Sequence, residues 1–143
     1  MIVLDTTVLV YAQGSDHPLR EPCQRLLTAV GNGAVDATTT VEVIQEFTHV
    51  RNRRQGRETA VRDARALLGF LGPLLTTDEA ALRTGLDLYA ASHRLGSFDA
   101  VLAATALTAG AEAIVSADLA FADIPGLGHV VPDHEGVALL LGA

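Results

Sequence analysis

No lysine and no tryptophan occur among the 143 residues, and there is a single cysteine. All ten basic side chains are therefore arginines. Mechanisms that need an ε-amino group fall at once, Schiff-base chemistry and the phosphate-binding P-loop among them. Cys23 alone can form neither an internal disulfide nor a cysteine-based zinc site. Aromatic residues make up only 4 % of the chain, so no platform for stacking bases is evident, and the core must come from Ala, Val, Leu and Ile.

Basic charge in excess is also missing. The formal net charge is −7, which argues against a broad basic surface for nucleic acid and leaves the acidic side chains to be explained. No window supplies the roughly 20 apolar residues of a membrane span. The start, Met1-Ile2-Val3-Leu4-Asp5, has no basic region and an apolar stretch too short for a signal peptide, so a cytoplasmic location is expected. Repeats and low-complexity tracts are absent.

What is present is a 49 % hydrophobic chain of the commonest single-domain size, expected to form one domain over residues 1–143. Ile2 to Leu4 is a short apolar run, the mark of a strand buried on both faces, and Asp5 ends it. A helical turn from Thr6 follows, then a helix opened by Pro18 with Leu19, Cys23, Leu26 and Leu27 on one face. A strand is expected at 34–38. The next helix, 40–54, carries Val43, Phe47 and Val50 on one stripe and Glu42, Glu46, His49 and Arg53 beside it. Further helices are expected over 58–70, 78–93 (Leu82, Leu86 and Tyr89 inward), 98–109 with Ser97 as cap, and 135–141. Strands are expected at 74–76, 113–115 and 129–131. This alternation predicts an α/β/α sandwich around a mostly parallel sheet of about five strands.

Ligands of such sheets bind beyond the carboxyl ends of the strands, where strand order reverses. Asp5 and Asp118 both follow strands. Asp5 is explained equally by capping the helix from Thr6 and by ligating a cation. Glu46 and Asp99 lie at the edges of apolar stripes. Taken alone, Asp99 suits the helix dipole and Glu46 a solvated face. Together the four would repel one another unless divalent cations sat between them, and hard oxygen ligands select Mg²⁺ or Mn²⁺. His17, His49, His93, His129 and His134 show no zinc-binding spacing.

The segments "MIVLDTTVLVYA", "TTTVEVIQEF", "SFDAVLAATAL" and "IVSADLAF", in this order and spacing, resemble those of the PIN-domain nucleases and, within them, the VapC-type toxins of toxin–antitoxin pairs. The resemblance covers essentially the whole chain. It implies a Mg²⁺- or Mn²⁺-dependent endoribonuclease whose four acids are Asp5, Glu46, Asp99 and Asp118, with Asp5 and Asp99 the chief metal ligands. Ser116 matches a small hydroxyl position, and Thr7 stands where the family often has Asn or Ser, so both are expected behind the ligands. Glu42, one turn before Glu46, is the less favoured alternative, because "IQEF" matches the family pattern better. The haloacid dehalogenase type of phosphatase also places an Asp after its first strand, but it needs a second acid where this chain has Thr7, and a lysine.

Two bound Mg²⁺ would bring the formal charge from −7 to roughly −3. Arg51, Arg53, Arg54 and Arg57 crowd the end of the Glu46 helix, a strip that either grips RNA phosphates or complements the helix dipole. The resemblance further implies a VapB-type antitoxin partner and a homodimer. Val8 to Ala12 and Leu67 to Leu75 are candidate interface stretches, though both also suit ordinary core. Two other functions stay open: a PIN-type RNA-processing nuclease without a toxin role, and a catalytically silent PIN-like binding module.

Overall fold

A computed structural model describes residues 1–142. Four strands form one sheet in the order β2-β1-β3-β4, every neighbouring pair parallel. They are β1 (Ile2–Leu4), β2 (Ala37–Thr38), β3 (Ala113–Val115) and β4 (Gly128–Val130). The helices are α1 (Thr6–Gln13), α2 (Arg20–Gly31), α3 (Val41–Gln55), α4 (Arg57–Leu71), α5 (Glu79–Ala91), α6 (Ser97–Thr108) and α7 (His134–Leu140), with a 3-10 turn at Leu119–Asp123.

From β1 the chain moves outward to β2, then crosses back over β1 to reach β3. Right-handed crossovers in opposite directions put their helices on opposite faces. Within the β2-to-β3 connection only α5 and α6 separate in this way, α5 packing on α6 and α6 on β3, whereas α3 and α4 stay with α1 and α2, and α7 also packs on α2. The result is the three-layer sandwich expected from the sequence. Strand order reverses between β1 and β3, so the fold's natural ligand position lies where Asp5 and Ser116 emerge.

Central β1 and β3 are buried along their whole length, which their continuous apolar runs required. Around them Val8, Leu9, Cys23, Leu26, Phe47, Leu67, Leu71 and Phe121 complete one buried cluster. Burial pushes the Cys23 thiol up to about 12, leaving it a protonated packing group. Gly56, the sole residue between α3 and α4, has φ +87°, a conformation that suits glycine. No described helix is long and apolar enough to cross a membrane.

Several expectations are corrected. The sheet has four strands rather than five, because residues 74–76 contribute only a bridge between Thr40 and Leu75. The 34–38 strand shrinks to two residues, since the Ala34 and Val35 amides fold back onto the Ala29 carbonyl at the end of α2. Ser97 is the first residue of α6 and not its cap, a position held by Gly96 without a side-chain bond.

The largest miss is α5. Leu82, Leu86 and Tyr89 are exposed, Leu86 by 52 %, and the buried residues are Ala81 and Gly85. Close approach decides the face: a Cβ on Gly85 would lie 2.8 Å from both Cα and Cγ2 of Val101 on α6. Of the two proposed interface stretches, Val8, Leu9, Ala12, Leu67 and Leu71 are core.

Alanine normally gains about 1 kcal/mol over glycine inside a helix. Gly69→Ala on α4, with open space around its Cβ position, should show that gain in urea denaturation. Gly85→Ala should instead lose stability, because overpacking at this distance costs typically 1–3 kcal/mol and outweighs the propensity gain. A more stable Gly85→Ala chain would mean that α5 does not depend on this contact.

Candidate active site

At the reversal of strand order the Asp5 amide donates to the Val115 carbonyl at 3.0 Å, so the ends of β1 and β3 meet. Asp5 is only 6 % exposed, where a carboxylate is costly unless hydrogen-bonded. Its Oδ2 accepts from Ser116 Oγ at 2.7 Å, from Thr7 Oγ1 at 2.9 Å and, at the 3.5 Å limit, from the Thr7 amide. The last contact makes Asp5 the N-cap of α1. Capping and site formation are thus one arrangement and not alternatives.

Every protein donor to Asp5 goes to Oδ2. No buried side-chain N or O among the described residues lacks a partner, so Oδ1, which has none, is the oxygen that still meets solvent. One oxygen anchors the group and the other stays open.

Ser116 is fully buried and joins both strand-end acids, since its Oγ donates to Asp5 and accepts from the Asp118 amide at 3.0 Å. Thr7 Oγ1 likewise accepts from the Ala117 amide at 3.1 Å while donating to Asp5. With both hydroxyl protons committed to Oδ2, the 3.4 Å approach of Thr7 and Ser116 is a contact of neighbours. Both residues stand behind the carboxylate.

Glu46 reaches the site from α3, where its exposed carboxylate accepts at Oε2 from the buried Thr6 hydroxyl at 2.8 Å. Thr6 was overlooked in the sequence; the two successive threonines after Asp5 were the signal, because a helix start points such neighbours in different directions. Glu42 is exposed and makes no side-chain hydrogen bond among the described residues. Asp118 is exposed and caps the 3-10 turn, accepting from the Ala120 amide at 2.9 Å.

Asp99 lies in the first turn of α6 without a side-chain hydrogen-bond partner among the described residues. Burial, and then the charges of Asp5, Asp118 and Glu46, push its carboxyl up to about 6. Glu42 is not among the groups acting on it. The four acids expected from the sequence therefore share one neighbourhood. None of them has an ion-pair partner among the described residues.

No three His, Cys, Asp or Glu side chains among the described residues close into a ready-made cage. The donor set nevertheless fits a hard divalent cation: all oxygen, charged, uncompensated, with Asp5 Oδ1 free.

The arginines divide. Arg51 turns inward, donating to Asp63 Oδ2 at 2.8 Å and to the Gln13 carbonyl at 2.9 Å, and so ties α3 to α4 and α1. Burial raises the Asp63 carboxyl, but hydrogen bonds from Arg51 and Arg62 outweigh it and hold the group below its ordinary value of 3.8. Arg53, Arg54 and Arg57 are exposed.

The elevated Asp99 carboxyl has a measurable consequence. Between its ordinary value of 3.8 and about 6, the folded metal-free chain binds more protons than the unfolded one, so stability falls as pH rises through that window. Asp99→Asn should flatten that decline in denaturant titrations. Carbon-detected NMR should place the Asp99 midpoint near 6, and added Mg²⁺ should lower it. A midpoint near 3.8 would mean that neither burial nor the neighbouring acids act on Asp99 as described.

Comparison with known proteins identifies the family. A PIN-domain family model matches residues 2–127. Ribonuclease VapC7 of Mycobacterium tuberculosis is 50 % identical over 143 residues, 99 % of each chain. Among solved structures, FitAcB from Neisseria gonorrhoeae superposes with a TM-score of 0.74 at 17 % identity, covering 94 % of this chain and 99 % of that one. DNA-bound VapBC from Salmonella typhimurium gives 0.67 at 19 % identity, covering 90 % and 95 %. By its family match and its half-identity to VapC7 across nearly the full length of both proteins, this chain belongs to the PIN-domain family, in its VapC-type branch.

Proposed function

We propose that the chain is a Mg²⁺- or Mn²⁺-dependent endoribonuclease, the toxin of a VapBC-type pair held in check by a VapB-type antitoxin in the cytoplasm. The observation that carries this is the meeting of four unpaired carboxylates at the reversal of strand order, where burial and then the charges of Asp5, Asp118 and Glu46 raise Asp99 to about 6. The half-identical relative is named a ribonuclease, and the Salmonella neighbour is a VapBC complex on DNA.

Asp5 and Asp99 are the chief ligands, with Glu46 and Asp118 completing the shell directly or through water. A bound divalent cation would neutralise phosphate charge and lower the pKa of a water that attacks phosphorus. The chain's own contribution is placement. Ser116 and Thr7 hold Asp5, Thr6 holds Glu46, and Glu46 or Asp118 orients the attacking water. In-line attack leaves a 5′-phosphate and a 3′-hydroxyl. Arg53, Arg54 and Arg57 supply exposed positive charge for RNA phosphates beyond the site, whereas Arg51 is spent on Asp63.

Cleavage of bulk transfer and ribosomal RNA with MgCl₂ or MnCl₂ tests the reading. Asp5→Asn and Asp99→Asn should each lose at least about a hundredfold in rate, as removal of catalytic ligands typically does. Glu46→Gln should lose most activity while Glu42→Gln keeps it. Equal cleavage by all four variants would sink the metal site. A wild-type chain that cuts no RNA would favour the silent binding module, and a gene without an adjoining small DNA-binding reading frame would favour RNA processing.

A homodimer is part of the same proposal, and the exposed Leu82, Leu86 and Tyr89 face of α5 is its interface. Leu86→Lys should shift sedimentation from dimer to monomer while the fold persists. An unchanged sedimentation coefficient would place the interface elsewhere.

A further inference from the structure

Pairing of β3 with β4 runs from Ala113 opposite Gly128 to Val115 opposite Val130, and goes one step further where the Ser116 amide donates to the Val130 carbonyl at 3.1 Å. In a parallel ladder the next bond would run from the amide of residue 132 back to the Ser116 carbonyl. Residue 132 is proline and has no N–H to give. Ser116 is fully buried, so water cannot replace the missing donor, and a buried carbonyl left alone is costly.

His129 fills the gap. Its Nε2 lies 2.9 Å from the Ser116 carbonyl oxygen. The ring is half-buried beside Phe121, with centroids 6.2 Å apart. Because a carbonyl only accepts, Nε2 must carry a proton. The histidine thus supplies from its side chain the bond that Pro132 removes from the backbone.

We infer that His129 is a positioning residue for the acid cluster, acting through Ser116. Holding the Ser116 peptide in plane sets the hydroxyl that donates to Asp5 Oδ2 at 2.7 Å and accepts from the Asp118 amide at 3.0 Å. Both strand-end acids therefore take their spacing from a peptide that β4 secures through this imidazole. The inference rests on the nuclease reading of the site.

Two measurements test it. In the metal-free wild-type chain at neutral pH, long-range ¹⁵N–¹H NMR should show His129 protonated at Nε2; an unprotonated Nε2 overturns the inference without any variant. In RNA cleavage with MgCl₂, His129→Leu should lower kcat about tenfold with KM within about twofold, the scale expected when a partner behind a ligand is lost. His129→Gln, which keeps an N–H at similar reach, should retain most of kcat. The double variant His129→Leu/Pro132→Ala should recover much of the loss, because residue 132 regains an amide proton for the Ser116 carbonyl.

A purely structural role predicts a lower Tm with unchanged kcat in His129→Leu, and that result overturns the inference. So does a double variant no faster than His129→Leu. Should His129→Leu fail to fold, the NMR result and the kcat of His129→Gln, which must stay close to wild type, decide. Asp5→Asn, run in parallel, separates the two readings: if it is inactive while His129→Leu is fully active, only the role of His129 falls, and if it cleaves normally the site itself falls.

Discussion

A carboxylate at the end of a buried strand has two incompatible needs: enough hydrogen bonds to remain charged away from water, and enough open valence to hold something else. Asp5 meets both by dividing its oxygens. Oδ2 collects the Thr7 and Ser116 protons and the cap contact of α1, while Oδ1 keeps its access to solvent. Those donors sit where the strand order of the sheet reverses. The sheet, the first helix and the site thus depend on the same few atoms.

Around that anchor, small polar groups and not a lysine or arginine hold the acids. Thr6 holds Glu46, Ser116 joins Asp5 to Asp118, and no cation of the chain pairs with any of the four acids among the described residues. Their repulsion is left uncompensated, and Asp99, the one with no side-chain bond, registers it most clearly. On the proposed reading, a divalent cation would relieve that repulsion. Arg51 illustrates the converse: bound to Asp63 and the end of α1, its charge is spent on holding helices together.

Much of this was legible because the governing forces are local. The apolar runs of β1 and β3 and the stripe of Val43 and Phe47 follow from short-range periodicity, while the four acids were picked out by the resemblance of the motifs around them. The inward face of α5 did not. Leu82, Leu86 and Tyr89 form a better apolar stripe than Ala81 and Gly85, yet the smaller pair is buried, since close approach to Val101 rewards the absence of a side chain. Hydrophobicity alone ranks these faces the wrong way round. Thr6 and His129 were missed for a related reason: their partners lie 40 and 13 residues away, beyond any local pattern.

The sequence by itself determined the architecture of alternating strands and helices and the lack of any lysine, because composition and periodicity act within a few residues of each position, and its resemblance to the PIN-domain nucleases singled out the four acids. Only the tertiary structure decided which oxygen of Asp5 stays open, that Glu46 and not Glu42 joins the charges acting on Asp99, that Arg51 faces inward, and that His129 replaces a proton Pro132 cannot give. Each of these depends on groups that the packing of strands and helices brings together, and hydrogen bonds and charges act over distances in space that the order of residues does not record.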